Sequence, residues 1–343
     1  MGHALSAQGR QALEQHFSRT AIAYGVAMGN ALAGQHFAAT PSVAQTIVRK
    51  IVETANPFLA SLPSIPVSEI KGQKVLLGLS GRVARRTDTS SSGERTPKRL
   101  ADTSAQDYEL FKTEFDVALS YADIDSWAKF PNFADLYMQA VREAISNDIL
   151  VAGWNGTSAA TATNIGTSPL LQDLNIGWLQ KIRAYNSGSQ YAIGTGPSPI
   201  SIGSGGTYVN LDEAVHDIKQ TVAIQFRNRG DLVALIADNL MVAAEDAYYT
   251  TNGNTPTEKA LIGGQITKAY GGLPSVTPPF LPDGTILVTP LRNLAWYYQD
   301  SSVRRLQRDW PSKDEVQEFN SLNMGYVVQE ELATSLVENI TLV

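Results

Sequence analysis

LFKTEFDVALSYA (110–122) sets Phe111, Phe115, Val117, Leu119 and Tyr121 against Lys112, Glu114, Asp116, Ala118 and Ser120. A period of two is the signature of a half-buried β-strand. Upstream, KVLLGL (74–79) reads as another strand. Between them lies GRVARRTDTSSSGERTPKRL (81–100), where Ser90-Ser91-Ser92-Gly93 supplies turn residues and Pro97 punctuates the return. The spacing predicts a long hairpin with a polar far end.

That far end carries Arg82, Arg85, Arg86, Arg95, Lys98 and Arg99 against Asp88 and Glu94, a local charge of +4. The 343-residue chain has a net charge of −6, so the remainder sums to −10. A solvated loop, a nucleic-acid grip and an intersubunit contact all fit the hairpin end. It lacks the interleaved aromatics that stack on bases, and an acidic chain is a poor phosphate binder. A long polar hairpin has little local core and needs a partner to become ordered. Arginine pairs bidentately with carboxylates, which the acidic remainder of an identical neighbour offers.

The chain is 43% hydrophobic and 17% charged. It can bury a sizeable core, and the low charged fraction fits a surface covered by partners. It contains no cysteine, which excludes disulfides, thiolate catalysis and zinc–thiolate sites. No apolar run is long enough for a membrane span, and the N-terminus lacks the basic start and apolar core of a signal peptide.

Working outward, Leu5, Leu13, Phe17, Ala21, Tyr24 and Met28 form the stripe of an amphipathic helix. TPSVAQTIVRKIVETANPF predicts a second helix, capped by Thr40-Pro41, lined by Val43, Ile47, Ile51 and Ala55, and ended by Asn56-Pro57. LASLPSIPVSEIKGQ, with Pro63 and Pro66, is an extended connector. After Pro131, the residues Phe133, Leu136, Tyr137, Ala140, Val141, Ala144, Ile145 and Ile149 predict the longest helix, ending at Gly153 or Asn155-Gly156. LLQDLNIGWLQKIR reads as a shorter helix. Residues 186–206 are rich in Gly, Ser and Pro and read as a linker and domain boundary. Beyond it, LDEAVHDIKQTVAIQFR and DNLMVAAEDAYY are helical, and DLVALIA, TILVT, LAWYYQ, MGYVVQE and SLVENITLV are strands. The class is α+β, without an internal repeat.

Catalytic motifs are missing. The Gly-rich loop 194–206 lacks the Gly-Lys-Ser/Thr of a phosphate cradle, and neither H-E-x-x-H nor G-x-S-x-G occurs. His3, His16, His36 and His216 stand apart from any carboxylate pair at metal spacing. His216 and Asp217 are adjacent, and neighbours on a helix point about 100° apart, so they do not form a dyad. Glu143 and Asp148 read as a solvated or partner-facing helix edge. No catalytic residue, cofactor or metal is expected.

PSVAQT, IPVSEIKGQK, TDTSSSGERTPK, SWAKFPNF, ILVAGWNGTS, SPLLQDLNIGWLQKIR, GGLP and LNMGYVVQEE occur here in an order that resembles the major capsid protein of tailed bacteriophages, Peduovirus type. SPLLQDLNIGWLQKIR (168–183) is the most diagnostic block. The likeness runs from about Pro41 to Val343.

It implies the Hong Kong phage capsid fold (Johnson fold), and no enzymatic activity. Its parts would be a scaffolding-like propiece at 1–37, removed by a head protease near Phe37-Ala38; an N-terminal arm at 38–66; and an extended loop at 67–122. A peripheral domain would follow at 123–206, with its spine helix at 131–152. An axial domain would occupy 207–325, and C-terminal strands at 326–343 would return to the peripheral domain.

The function implied is self-assembly into the hexamers and pentamers of an icosahedral shell around double-stranded DNA, bound without sequence specificity. Scaffolding, portal and head-completion proteins would be partners, assembly would take place in the host cytoplasm, and the product would be the virion. The eight charged residues of the loop tip would then be intersubunit contacts. The alternatives are an encapsulin-like nanocompartment shell and a soluble α/β ligand-binding protein.

Overall fold

A fourteen-residue strand, Glu315–Val328, organises a seven-stranded sheet. Its even-numbered residues from Val316 to Met324 are buried and the odd ones half-buried, the pattern of a strand with one face on a core. Leu294–Gln299 and Arg304–Trp310 pair antiparallel along one edge of it, and Phe111–Glu114 and Val117–Ser120 along the other. The computed structural model describes residues 6–24, 37–38, 41–74, 78–79, 84, 86–87, 90, 94–95, 101–102, 106–127, 132–185, 191–193, 200–244 and 269–343.

The alternation in 110–122 places faces as expected: Thr113, Phe115 and Tyr121 are buried while Lys112, Glu114, Asp116 and Ala118 are exposed. Its partner differs from the expectation. The stretch pairs with Glu315–Val328, breaks at Phe115-Asp116 and turns into the helix Tyr121–Trp127. The arms of the hairpin are Lys71–Lys74 with Gln106–Glu109 and Gly78–Leu79 with Ala101–Asp102. Residues 75–77 of the expected strand lie outside the described residues. Period-two patterning fixes which face is buried and leaves the neighbouring strand open.

The proline-bearing connector becomes the strand Ser64–Val67, parallel to Leu294–Gln299 at the end of the sheet. An edge tolerates Pro66, which has no N–H to give. Pro41–Ala55 is helical, with Ala44, Val48 and Ile51 buried and Val43 and Ile47 half-buried beside them. Asn56-Pro57 ends that helix and starts another, Pro57–Ser61, because the Asn56 side chain accepts from Phe58 N at 3.0 Å. The Thr40 cap, and the helix residues expected beyond 244, lie outside the described residues.

The longest helix is Phe133–Asn155, with Gly156 as its C-cap. Its C-terminal half enters the main core through Ile145, Ile149, Leu150, Ala152 and Trp154. The expected stripe is only half covered, since Leu136 is 55% exposed. Trp154, Trp178, Trp296 and Tyr326 are fully buried. Trp178 lies 5.0 Å from Trp154 and 4.9 Å from Tyr326 between ring centroids, and its Nε1 donates to Ala295 O at 2.8 Å.

Only Trp178–Ala184 of the expected 170–183 helix forms. Leu171 has a φ of 56°, and a side chain on Gly177 would sit 2.4 Å from the Gly153 carbonyl. The chain here is built for close approach, which a continuous helix would prevent.

A six-stranded sheet holds Leu232–Ile236 and Ile286–Pro290 at its centre, covered by Leu211–Thr221. Asn210 caps that helix, accepting from Glu213 N at 2.8 Å, and the helical reading of 211–227 breaks at Val222-Ala223 into a separate turn, Ile224–Arg227. The Gly/Ser/Pro stretch supplies two short strands. Tyr191–Ile193 pairs with Ser335–Glu338, and Ile200–Ile202 with Ile340–Leu342. Ser335–Glu338 also bonds Ile286–Pro290, so this sheet joins residues from both sides of the boundary expected near 206. Among the described residues no helix is long and apolar enough to cross a membrane.

Candidate assembly elements

The hairpin is tied down at its base. Lys74 Nζ donates to Glu331 Oε1 at 2.7 Å and also to the carbonyl of Val328. Tyr108 meets Tyr297 edge-on at 5.1 Å, and Leu110 N donates to Ile70 O at 2.9 Å. Lys181 packs near the Lys74–Glu331 pair. Burial and the Lys74 charge lower its pKa to about 8, against the opposing pull of Glu331. The Lys74–Glu331 ion pair thus holds the hairpin where it leaves the body.

Of the eight charged residues of the far end, Arg86, Glu94 and Arg95 are described, and all three are exposed. Arg82, Arg85, Asp88, Lys98 and Arg99 lie outside the described residues. His216 is exposed on its helix, and Asp217 accepts from Tyr208 Oη at 2.6 Å rather than facing the imidazole.

Phe37 and Ala38 form a two-residue strand, antiparallel to Arg305 and Arg304, at the edge of the seven-stranded sheet. Pairing with the neighbouring strand gives backbone groups of these two residues hydrogen-bond partners.

The N-terminal helix Ala7–Tyr24 is docked on that sheet. Ser6 starts it, with Oγ accepting from Gly9 N at 3.0 Å and donating to Asp125 Oδ1 at 2.5 Å. Leu13 and Phe17 pack with Tyr121, Ile124 and Val316. Arg19 reaches Asp135 on the long helix at 2.5 Å.

At the centre is a buried polar cluster. His16 Nε2 donates to Glu318 Oε1, Arg305 Nη2 donates to Glu318 Oε2 at 2.6 Å, and Gln307 Nε2 donates to Glu318 Oε1 at 2.7 Å and to Thr20 Oγ1 at 3.3 Å. Burial pushes the Glu318 carboxyl up. Arg305, His16 and Gln307 together pull it further down, to a net value of about 2. Among the described residues, His16 Nδ1 has no hydrogen-bond partner. Beside the cluster lies a cavity of about 60 Å³, lined by Thr20, Ile47, Tyr137, Val141 and Arg305.

Sequence reading missed this cluster. Its one trace is the strand alternation, which sets Glu318 on the same face as Val316, Leu322 and Met324. A carboxylate on an apolar face requires a partner.

The family model described as phage major capsid protein, P2 family, matches residues 12–340. The capsid protein of Escherichia phage P2 is 31% identical over 335 residues, covering 95% of this chain and 92% of that one. The major capsid protein of Serratia phage KSP20 is 30% identical over 339 residues, 97% of this chain and 96% of that one. Among solved structures, the satellite phage P4 procapsid including size determination (Sid) protein has a chain 31% identical, with a TM-score of 0.77 and coverage of 96% and 98%. The cyanophage A-1(L) capsid is 17% identical, with a TM-score of 0.51 over 84% of this chain and 93% of that one, a likeness of fold.

Proposed function

The chain belongs to the P2 family of phage major capsid proteins, and from that premise we propose how its parts build a head. It is a structural component of the virion with the Hong Kong phage capsid fold. Copies assemble into hexamers and pentamers of an icosahedral shell enclosing double-stranded DNA. Rings of this kind need head-to-tail interfaces that repeat and close.

The observation that carries this reading, beyond family membership, is the hairpin. It is fastened to the body through Lys74 and Tyr108, while its described far-end charges are exposed. Each copy gives a basic hairpin end and takes one on its acidic body. Arg82, Arg85, Arg86, Arg95, Lys98 and Arg99 are the donors of this contact, with Asp88 and Glu94 fixing its register. The net negative charge also suits a container, since a shell gripping phosphates would resist filling and emptying.

In this reading residues 38–66 are the arm, 67–122 the extended loop, 123–206 the peripheral domain and 207–325 the axial domain, with 326–343 closing back on the fold. Residues 1–37 are a propiece with a scaffolding role, and a head protease cuts near Phe37-Ala38. The scaffolding protein, portal, head-completion proteins and packaged DNA are the other partners. Subunit rotation converts the precursor shell to the mature one. Mass spectrometry of mature particles tests the processing: a chain beginning near Ala38 is expected, and an intact N-terminus in infectious virions would overturn it.

A further inference from the structure

We propose that the sheet face around Arg305, Gln307 and Glu318 is a receptor site for an amphipathic helix with a central histidine, that this chain's own residues 7–24 occupy it, and that the covalent tether rather than intrinsic affinity keeps it occupied. The site is chemically specific. Glu318 has a side chain only 1% exposed, and it accepts from three residues, of which only His16 comes from the helix. Thr20, one turn after His16, accepts from Gln307, and Leu13 and Phe17 fill the apolar part beside Tyr121, Ile124 and Val316. An amphipathic helix without the imidazole would leave a Glu318 lone pair unmet in a dry setting, which is what makes the site selective.

The affinity is limited by what the helix must give up. It has eighteen residues, of which Leu13, Phe17 and Ala21 are its buried apolar side chains, and Ile22 remains 77% exposed. Helix nucleation is costly and most helical stability comes from tertiary packing, so docking must also order the helix. A short tether raises the local concentration to about millimolar. A dissociation constant between about 1 µM and about 1 mM then gives a docked helix while the chain is whole and a released one after scission.

The geometry couples release to the neighbouring strand. Arg305 is both the ion-pair partner of Glu318 and the residue opposite Phe37. A cut that frees residues 7–24 therefore uncovers a buried carboxylate and guanidinium at the sheet edge.

The test places a specific protease sequence within residues 25–36 of the full-length chain, so it does not depend on where natural processing occurs. After cutting, the N-terminal fragment should elute separately when the protein is diluted to about 1 µM. A labelled peptide of residues 6–24 should then rebind saturably, and a His16→Ala peptide roughly tenfold more weakly. A Gln15→Ala peptide, altered on the exposed face, should match the parent. A fragment that stays bound through dilution would overturn the role of the tether. No saturable binding up to about 1 mM, or equal binding of the His16→Ala peptide, would overturn the receptor site.

Discussion

Glu318 illustrates what a single residue decides. Its folded pKa lies below the ordinary carboxylate value of 4.5, at about 2, so its ion pairing stabilises the fold fully above the unfolded value. That contribution is lost as pH falls from 4.5 towards 2, and a Glu318→Gln chain should lack this acid-sensitive component in urea melts taken across the window. Glu318→Ala leaves the Arg305 guanidinium buried beside an empty place. It should cost about 3 kcal/mol at neutral pH, read from the urea midpoint. Gly153 makes a steric counterpart. A Cβ there would lie 2.3 Å from Trp178 Cζ3, so Gly153→Ala should destabilise by about 2 kcal/mol through overpacking, measurable in the same way.

At the scale of elements, the hairpin far end carries the assembly proposal. Arg86→Glu with Arg95→Glu should sharply lower the yield of closed particles while the circular dichroism of the free subunit stays unchanged. Unaltered particle yield would remove these arginines from the contact. Raised salt should loosen precursor shells for the same electrostatic reason, seen as subunit release in sedimentation.

What was readable in the sequence follows the range of each signal. Helix and strand periodicity are local, so the long helix Phe133–Asn155, the strand Leu232–Ile236 and the inward face of 110–122 were legible. Pairing is not local: 110–122 turned out to partner Glu315–Val328 instead of 74–79. The strand Arg304–Trp310 was not anticipated, because RRLQRDW is mostly charged and shows no period-two apolar alternation. Across 170–178 the apolar spacing of Leu171, Leu174 and Trp178 imitates a helix, but the close approach of Gly177 to Gly153 imposes an irregular path before Trp178. His16 and Glu318 lie 302 positions apart, and no spacing rule could join them.

At the scale of the whole molecule, the segment 81–100 is basic and the rest of the chain acidic, +4 against −10, on one polypeptide. In the proposed assembly, identical copies with that asymmetry attract head to tail, and a closed ring is the arrangement in which every basic end is met. The half-exposed start of the long helix and the exposed Leu136 sit on a surface that a neighbouring copy can cover. The measurement that bears most directly on this account is a side-chain-resolution reconstruction of the assembled particle. It should place Arg86 and Arg95 of each hairpin within ion-pairing distance, about 4 Å, of carboxylates on the adjacent copy. Hairpin ends standing free in solvent, or folded back on their own subunit, would contradict it.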